Sequence, residues 1–378
     1  MLKTLLKYLF KFSTGGTRPY QAGKSQGAAK KTATKGAQRA RKRTVSAFQL
    51  HKIPENPILF PRTENEWEGW QTFNPGAIVL NDVVHFLYRA IGKDGISRFG
   101  YAASKDGFVI NERLPHPVYE HRVGRRPSQV YCYQSGGSWG GSEDPRIVRV
   151  GDEDVLYMMY TACNGDLRVA LTSISLEDFL QKRWHWKAPL LISPPEEVHK
   201  NWVIFPEKIH GKYAILHSLN PEVLVEYVDS LEFKNQACIA SNHGGKPRQN
   251  CWDRWIRGAG PVPLKTDYGW LVFYHAMDHD WSKYRVGALL LDHDDPTIVR
   301  SRARTPVLEP SEPYEHHGFK PGVVYVSGAV VKDGQLLVYY GAADSYVCVA
   351  HVDFAQFIDA LRKDQEPVLT RSVVREKS

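Results

Sequence analysis

The sequence predicts an all-β chain folded as a five-bladed β-propeller behind a basic, largely disordered N-terminal arm. Three observations carry this. A three-strand unit returns five times, long helical periodicity is missing from the repeating region, and hydrophobic and aromatic residues make up 42% and 12% of 378 residues, ample for a large core. A β-sandwich is the alternative, since its strands also recur between turn signals. The return of whole units favours the propeller, which accommodates this length in one domain.

The chain begins with residues 1–12, where Leu2, Leu5, Leu6 and Leu9 follow helical spacing and Lys3, Lys7 and Lys11 fall on another face. Three readings of this basic amphipathic helix stay open: peripheral contact with an anionic membrane, packing on the body or a partner, and an organellar leader. Residues 13–46 are Gly, Ala, Lys, Thr and Ser with few large apolar side chains. Such a segment cannot repay the entropy of ordering and reads as a flexible linker. Residues 47–365 form the expected catalytic body and residues 366–378 a tail.

Residues 1–46 hold twelve Lys and Arg and no Asp or Glu, so removing them from the net +8 leaves −4 for residues 47–378. The body therefore has no excess of positive charge for a nucleic-acid backbone, and nucleic acid is excluded as its partner. The cysteines Cys132, Cys163, Cys238, Cys251 and Cys348 are scattered, without the close pairs of a zinc site or a disulfide framework. A reducing, cytoplasmic setting is expected, with no metal and no cofactor. No run of about 18 apolar residues suggests a membrane span.

Each unit is marked by its second strand: FLYRA (86–90), MMYTA (158–162), ILHSL (215–219), VFYHA (272–276) and VYYGA (338–342). A first strand precedes each: NPGAIVL (74–80), EDPRIVRV (143–150), FPEKI (205–209), GPVPL (260–264) and SGAVV (327–331). Tight turns at Asn81-Asp82, Gly151-Asp152, Gly211-Lys212, Tyr268-Gly269 and Asp333-Gly334 join the two. Third strands follow at 98–104, 168–173, 223–228, 284–291 and 346–352. The main helical candidate is FAQFIDALRKD (354–364).

Innermost strands of a propeller surround one axis, so equivalent positions of different units meet although about 60 residues apart. The polar exceptions there are the candidate site: Asn74, Glu143 and Asp144 before first strands, and Arg89, His217, His275 and Asp344 within or after second strands. A carboxylate at the base of such a funnel can be desolvated and tuned for proton transfer, which makes Asp144 the candidate general acid. The plainer alternative is that Asp144 caps a turn and pairs with Arg146.

The segments TFNPGAI (72–78), GGSEDPRI (140–147), IFPEKIHGKYAILH (204–217), GAGPVPLKTDYGWLVFYH (258–275), LLLDHDDP (289–296), EPYEHHG (312–318) and VVKDGQLLVYYGAAD (330–344) resemble, in order, glycoside hydrolase family 130. The resemblance covers residues 54–354. It implies a five-bladed propeller acting on β-mannosides as an inverting phosphorylase or hydrolase, with an oligosaccharide as substrate. It further implies that Asp144 is the proton donor, acting through a sugar hydroxyl, and that Asn74, His275 and Asp344 hold the sugar.

Phosphorolysis needs basic side chains to hold inorganic phosphate as co-substrate, whereas inverting hydrolysis needs a carboxylate base for water. Phosphorylases of the family carry Arg-Pro after the LH of the third unit, and this chain has Ser218 there. Arg89, Arg168 and Lys200 remain as basic candidates. Glu226 lies in an otherwise apolar strand, where an unpaired charge is costly, and is the first candidate for the base, with Glu315 second. The expectation is hydrolysis of β-mannosides with inversion; a phosphorylase releasing α-mannose 1-phosphate is the alternative, and a non-catalytic interaction propeller the rival of another class.

Overall fold

In the computed structural model residues 49–124, 135–233, 238–242, 246–277 and 283–364 are described. The expected arm, linker and C-terminal tail lie outside these residues. The described residues are all-β apart from two short α-helices and two single 3-10 turns. Antiparallel neighbours build five consecutive units. Unit 1 is Gln71–Leu80, Val83–Ile91 and Ile96–Ser104; unit 2 is Gly140–Arg149, Val155–Cys163 and Leu167–Ser175. Unit 3 is Val203–Ile204, Tyr213–Ser218 and Leu224–Val228; unit 4 is centred on Gly269–Met277 and Tyr284–Leu291; unit 5 is Val324–Lys332, Gln335–Ala342 and Tyr346–Asp353.

The turns fall as expected, with left-handed backbone at Asn81 (φ 49°), Asp82 (φ 62°), Gly151 (φ 56°), Gly211 (φ 77°), Asp333 (φ 49°) and Gly334 (φ 74°). Two first strands differ from expectation. In unit 3 the strand is Val203–Ile204, upstream of FPEKI, and in unit 4 two strands, Trp255–Ala259 and Leu264–Thr266, flank GPVPL. Pro206, Pro261 and Pro263 have no N–H for the ladder, so pairing is displaced to their flanks. The helix Phe354–Lys363 forms where its periodicity placed it, capped by Asp353, whose side chain accepts from the Gln356 N–H at 2.8 Å. It buries Phe357, Ile358 and Leu361.

Strand alternation sends neighbouring side chains of one strand to opposite sides, and the core divides accordingly. In unit 4, Leu271 and Phe273 pack with Val324, Val326 and Val338 of unit 5, while Trp270, Val272 and Tyr274 pack with Val203, Ala214 and Leu216 of unit 3. Further clusters join units 1 and 2, units 2 and 3, and units 5 and 1. Units 1 and 2 also share a sheet through a short parallel pairing of Ile96 and Ser97 with Gly140 and Gly141. Residues His51–Lys52 pair with Tyr346–Asp353, so the start of the body completes the sheet of its last unit.

The recurring aromatic of each second strand has a structural role. Tyr88, Tyr274 and Tyr340 donate to the buried carboxylates of Glu68 (2.8 Å), Asp253 (2.8 Å) and Glu315 (2.9 Å). Each carboxylate meets a cation: Arg113 on Glu68, Arg302 and Arg248 on Asp253, Lys52 on Glu315. In unit 2 Tyr160 meets Tyr119 and His121, and in unit 3 His217 takes the position.

Candidate active site

The first strands of units 1 and 2 break register at the same place. Pairing jumps from Phe73 with Arg89 to Gly76 with Leu87, and from Glu143 with Thr161 to Arg146 with Met159. Pro75 and Pro145 cannot donate to the ladder, so the chain bulges before them. The residues thrown inward, Asn74 (φ 45°) and Asp144 (φ 53°), adopt left-handed backbone, which a following proline disfavours further. Backbone strain of this kind, on the order of 1–3 kcal/mol per residue, persists where surrounding structure over-determines it and clusters at functional sites. Gly341 is required beneath Asn74, because a Cβ there would lie 1.9 Å from the Asn74 amide oxygen.

The two bulges meet: Asn74 Nδ2 donates to Asp144 Oδ1 at 2.8 Å, and Arg89 Nη1 to the same oxygen at 3.1 Å. Arg89 also lies 3.4 Å from Glu143, spans Ser97 and Ser138, and covers the Phe73 ring. Lys200 Nζ donates to Glu143 at 2.7 Å. Arg146 holds the Asp144 backbone carbonyl at 2.6 Å and reaches Gly260, Asn201 and Tyr325. Tyr325 in turn stacks on the buried His275 ring, 3.8 Å between centroids. Asp344 pairs with Lys320 at 3.1 Å, and its backbone carbonyl accepts from Gln71 at 2.6 Å.

Burial opposes the charge on Asp144, but Arg89, Arg146, Lys200 and the Asn74 hydrogen bond outweigh it and hold the carboxyl below the usual range. Glu143 is also depressed: burial raises it, while Lys200 and Arg89 prevail. Burial and then Arg146 push His275 down to about 3, so its imidazole is neutral. Its Nε2 is bound to the Val326 carbonyl at 2.7 Å and therefore carries the proton, leaving Nδ1 as a buried acceptor. Asn74 Oδ1, Gln71 Oε1, Thr72 Oγ1 and Thr161 Oγ1 are likewise buried without a protein partner. Buried polar atoms are rarely left so, and those of Asn74 and His275 belong to the Asp144 network, which marks it as a polar ligand site.

A family model described as beta-1,4-mannooligosaccharide phosphorylase, that of glycoside hydrolase family 130, matches residues 42–363. The chain belongs to glycoside hydrolase family 130. The 1,2-beta-oligomannan phosphorylase of Thermoanaerobacter sp. (strain X514) is 38% identical over 317 residues, 80% of this chain and 97% of that protein. A beta-1,2-mannobiose phosphorylase of the same strain is 33% identical over 323 residues, 81% of this chain and 98% of its own. The solved structure of the Listeria innocua beta-1,2-mannobiose phosphorylase with β-1,2-mannobiose superposes with a TM-score of 0.65 at 25% identity, covering 83% of this chain and 99% of that one.

Six residues expected at the site of this family 130 protein, Asn74, Arg89, Glu143, Asp144, Lys200 and His275, stand in one network, and Asp344 adjoins it. Four do not join them. His217 takes the position of the tyrosines in the core of its unit, bonded to Ser241 at 2.9 Å and packed on Trp202. Arg168 spends its guanidinium on the carbonyls of Ser193 and Leu191. Glu226 lies on the edge strand Leu224–Val228, half-exposed throughout, and lines an outer cavity of about 430 Å³ with Asp229, Glu232 and Phe233. Its charge keeps water contact, so the cost that suggested a special role is not incurred. Glu315 is engaged by Lys52 and Tyr340. Arg146, Asn201 and Tyr325 were missed as site residues; the Arg-after-Pro of EDPR was the one available signal, and Arg146 binds the Asp144 carbonyl and not its carboxylate.

Proposed function

We propose that the protein is a five-bladed propeller phosphorylase that cleaves β-1,2-linked mannosides with inorganic phosphate. The observation that carries the chemistry is the buried Asp144, fixed by Asn74 and Arg89 amid Arg146 and Lys200. The five shared core clusters, including that of unit 5 with unit 1, support the propeller. The relatives at 38% and 33% identity support phosphorolysis and the β-1,2 linkage better than the expected hydrolysis. The position of Glu226 supports the same choice, since phosphate, being its own nucleophile, needs no base.

In this reading the unpartnered atoms of Asn74 and His275 bind hydroxyls of the mannosyl residue. A phosphate oxygen attacks C1 from the face opposite the leaving group, forming a C1–O bond to phosphate with α configuration. The glycosidic C1–O bond breaks, and the proton of Asp144 reaches the leaving oxygen by way of a sugar hydroxyl. Asp144 is an anion in the free enzyme, so it takes up this proton when bound phosphate offsets Arg89 and Lys200. The test is incubation with β-1,2- and β-1,4-mannobiose, with and without phosphate, resolving mannose from α-mannose 1-phosphate. Phosphate-dependent α-mannose 1-phosphate from the β-1,2 substrate is expected; free mannose at an equal rate without phosphate would overturn the reading.

A further inference from the structure

The first strands of four units break register: at Asn74-Pro75, Asp144-Pro145 and Ser327 opposite the recurring tyrosine, and at Arg257 just past it, between Ala276 and His275. Three of these breaks hold buried side chains tied into one another: Asn74 donates to Asp144, and Ser327 Oγ donates to the Pro75 carbonyl at 3.1 Å. Arg257 occupies the fourth break and is different. It is exposed, and its guanidinium has no hydrogen-bond or ion-pair partner among the described residues.

Its backbone is nevertheless fixed to the site. Asn201 Nδ2 donates to the Arg257 carbonyl at 2.8 Å, and Asn201 Oδ1 accepts from Arg146 at 2.9 Å. Asn201 follows Lys200, which holds Glu143 at 2.7 Å. On the other side Gly258 pairs with His275, and the Arg257 charge joins burial and Arg146 in keeping that imidazole neutral. Arg89 and Arg146 are buried and already engaged by carboxylates, carbonyls and Asn201. Arg257 thus offers, beside the network, a fork of donors unengaged among the described residues, and such a fork binds a phosphate bidentately.

We infer that Arg257 is a phosphate-binding residue of this site, an assignment that rests on the phosphorolysis reading. It receives the anion from solvent and holds it beside the Lys200–Asn201 segment, supplying a clamp in a unit other than the one where Ser218 stands. The experiment compares the full-length wild type with Arg257→Ala and Arg257→Lys in phosphorolysis of β-1,2-mannobiose, varying phosphate and sugar separately. Arg257→Ala is expected to raise the KM for phosphate about tenfold or more while the KM for mannobiose stays within about twofold, and Arg257→Lys to recover part of the loss. Protection against thermal unfolding by inorganic phosphate alone, without sugar, should fall in parallel. A phosphate-dependent wild type whose phosphate KM is unchanged in Arg257→Ala overturns this assignment alone. A wild type that turns over without phosphate overturns the phosphorolysis reading and the assignment with it.

Discussion

Buried carboxylates occupy two kinds of place in this protein, and the contrast separates chemistry from architecture. Glu68, Asp253 and Glu315 sit beneath the recurring tyrosines, each with a cation. Glu315 is saturated, accepting also from the backbone N–H groups of Ser311 (2.6 Å) and Glu312 (2.8 Å). Glu143 and Asp144 are just as buried and just as ion-paired. Burial and pairing therefore do not mark a functional acid. What distinguishes Asp144 is its left-handed backbone in a register break and the unpartnered polar atoms around it. The tyrosine–carboxylate pair recurs in three units, whereas a carboxylate in a register break occurs in one.

The comparison breaks or sharpens under substitution. Asp144→Asn should lower kcat/KM by about 10²–10⁴ with phosphate present, because the amide carries no transferable proton, and should also lower the thermal midpoint, because the buried Arg89 loses one of its two anions. Undiminished turnover would return Asp144 to the architectural class. Asp253→Asn is expected to lose stability without losing turnover. Leaving the buried Arg302 without its anion should cost about 3–5 kcal/mol in urea denaturation, with kcat of the folded protein within about threefold of wild type.

A third test sets one histidine from each region side by side. Burial and then Arg146 lower His275 to about 3; burial and then His199 lower His217 to about 4. Both are depressed in the folded state, so below the ordinary value of 6.5 the unfolded chain takes up protons that the folded chain refuses. Stability should accordingly be full above pH 6.5 and fall as pH drops towards 4, by up to about 1.4 kcal/mol per pH unit for each histidine. Denaturation midpoints between pH 4 and 8 should show this slope, and His217→Gln should flatten it by at most about 1.4 kcal/mol per pH unit while leaving kcat near wild type. The smallest effect is expected at the exposed edge: Glu226→Gln should change turnover by less than about twofold. A large loss there would restore a water-activating base and with it the hydrolase.

The five units were legible because alternation with period 2 and left-handed turn residues are local signals, and each recurs. The closing pair His51–Lys52 was not, since two residues carry no periodicity and their partner lies at the other end of the body. Proline displaced the first strands of units 3 and 4 because its effect on pairing depends on which edge its nitrogen faces. At the site, Asp144 and Asn74 were legible as polar residues at equivalent turns. Asn201 and Tyr325 were not, because each acts through Arg146, and no spacing reveals a contact between residues 146 and 325. Glu226 misled because a strand with apolar neighbours looks interior until its sheet is known to end there.

The pairing of His51 with His351 has a consequence for how the molecule is made. Val84, Phe86 and Tyr88 rest against Leu337, Tyr339 and Val349, so an apolar wall built early in synthesis waits for about 250 residues before it is covered. Contacts of such separation slow folding and leave intermediates prone to associate. They also place the two ends of the body side by side. A chain whose ends were joined there and reopened at the Gly211-Lys212 turn would retain every cluster of the core, and its wall would be covered while unit 1 was still leaving the ribosome.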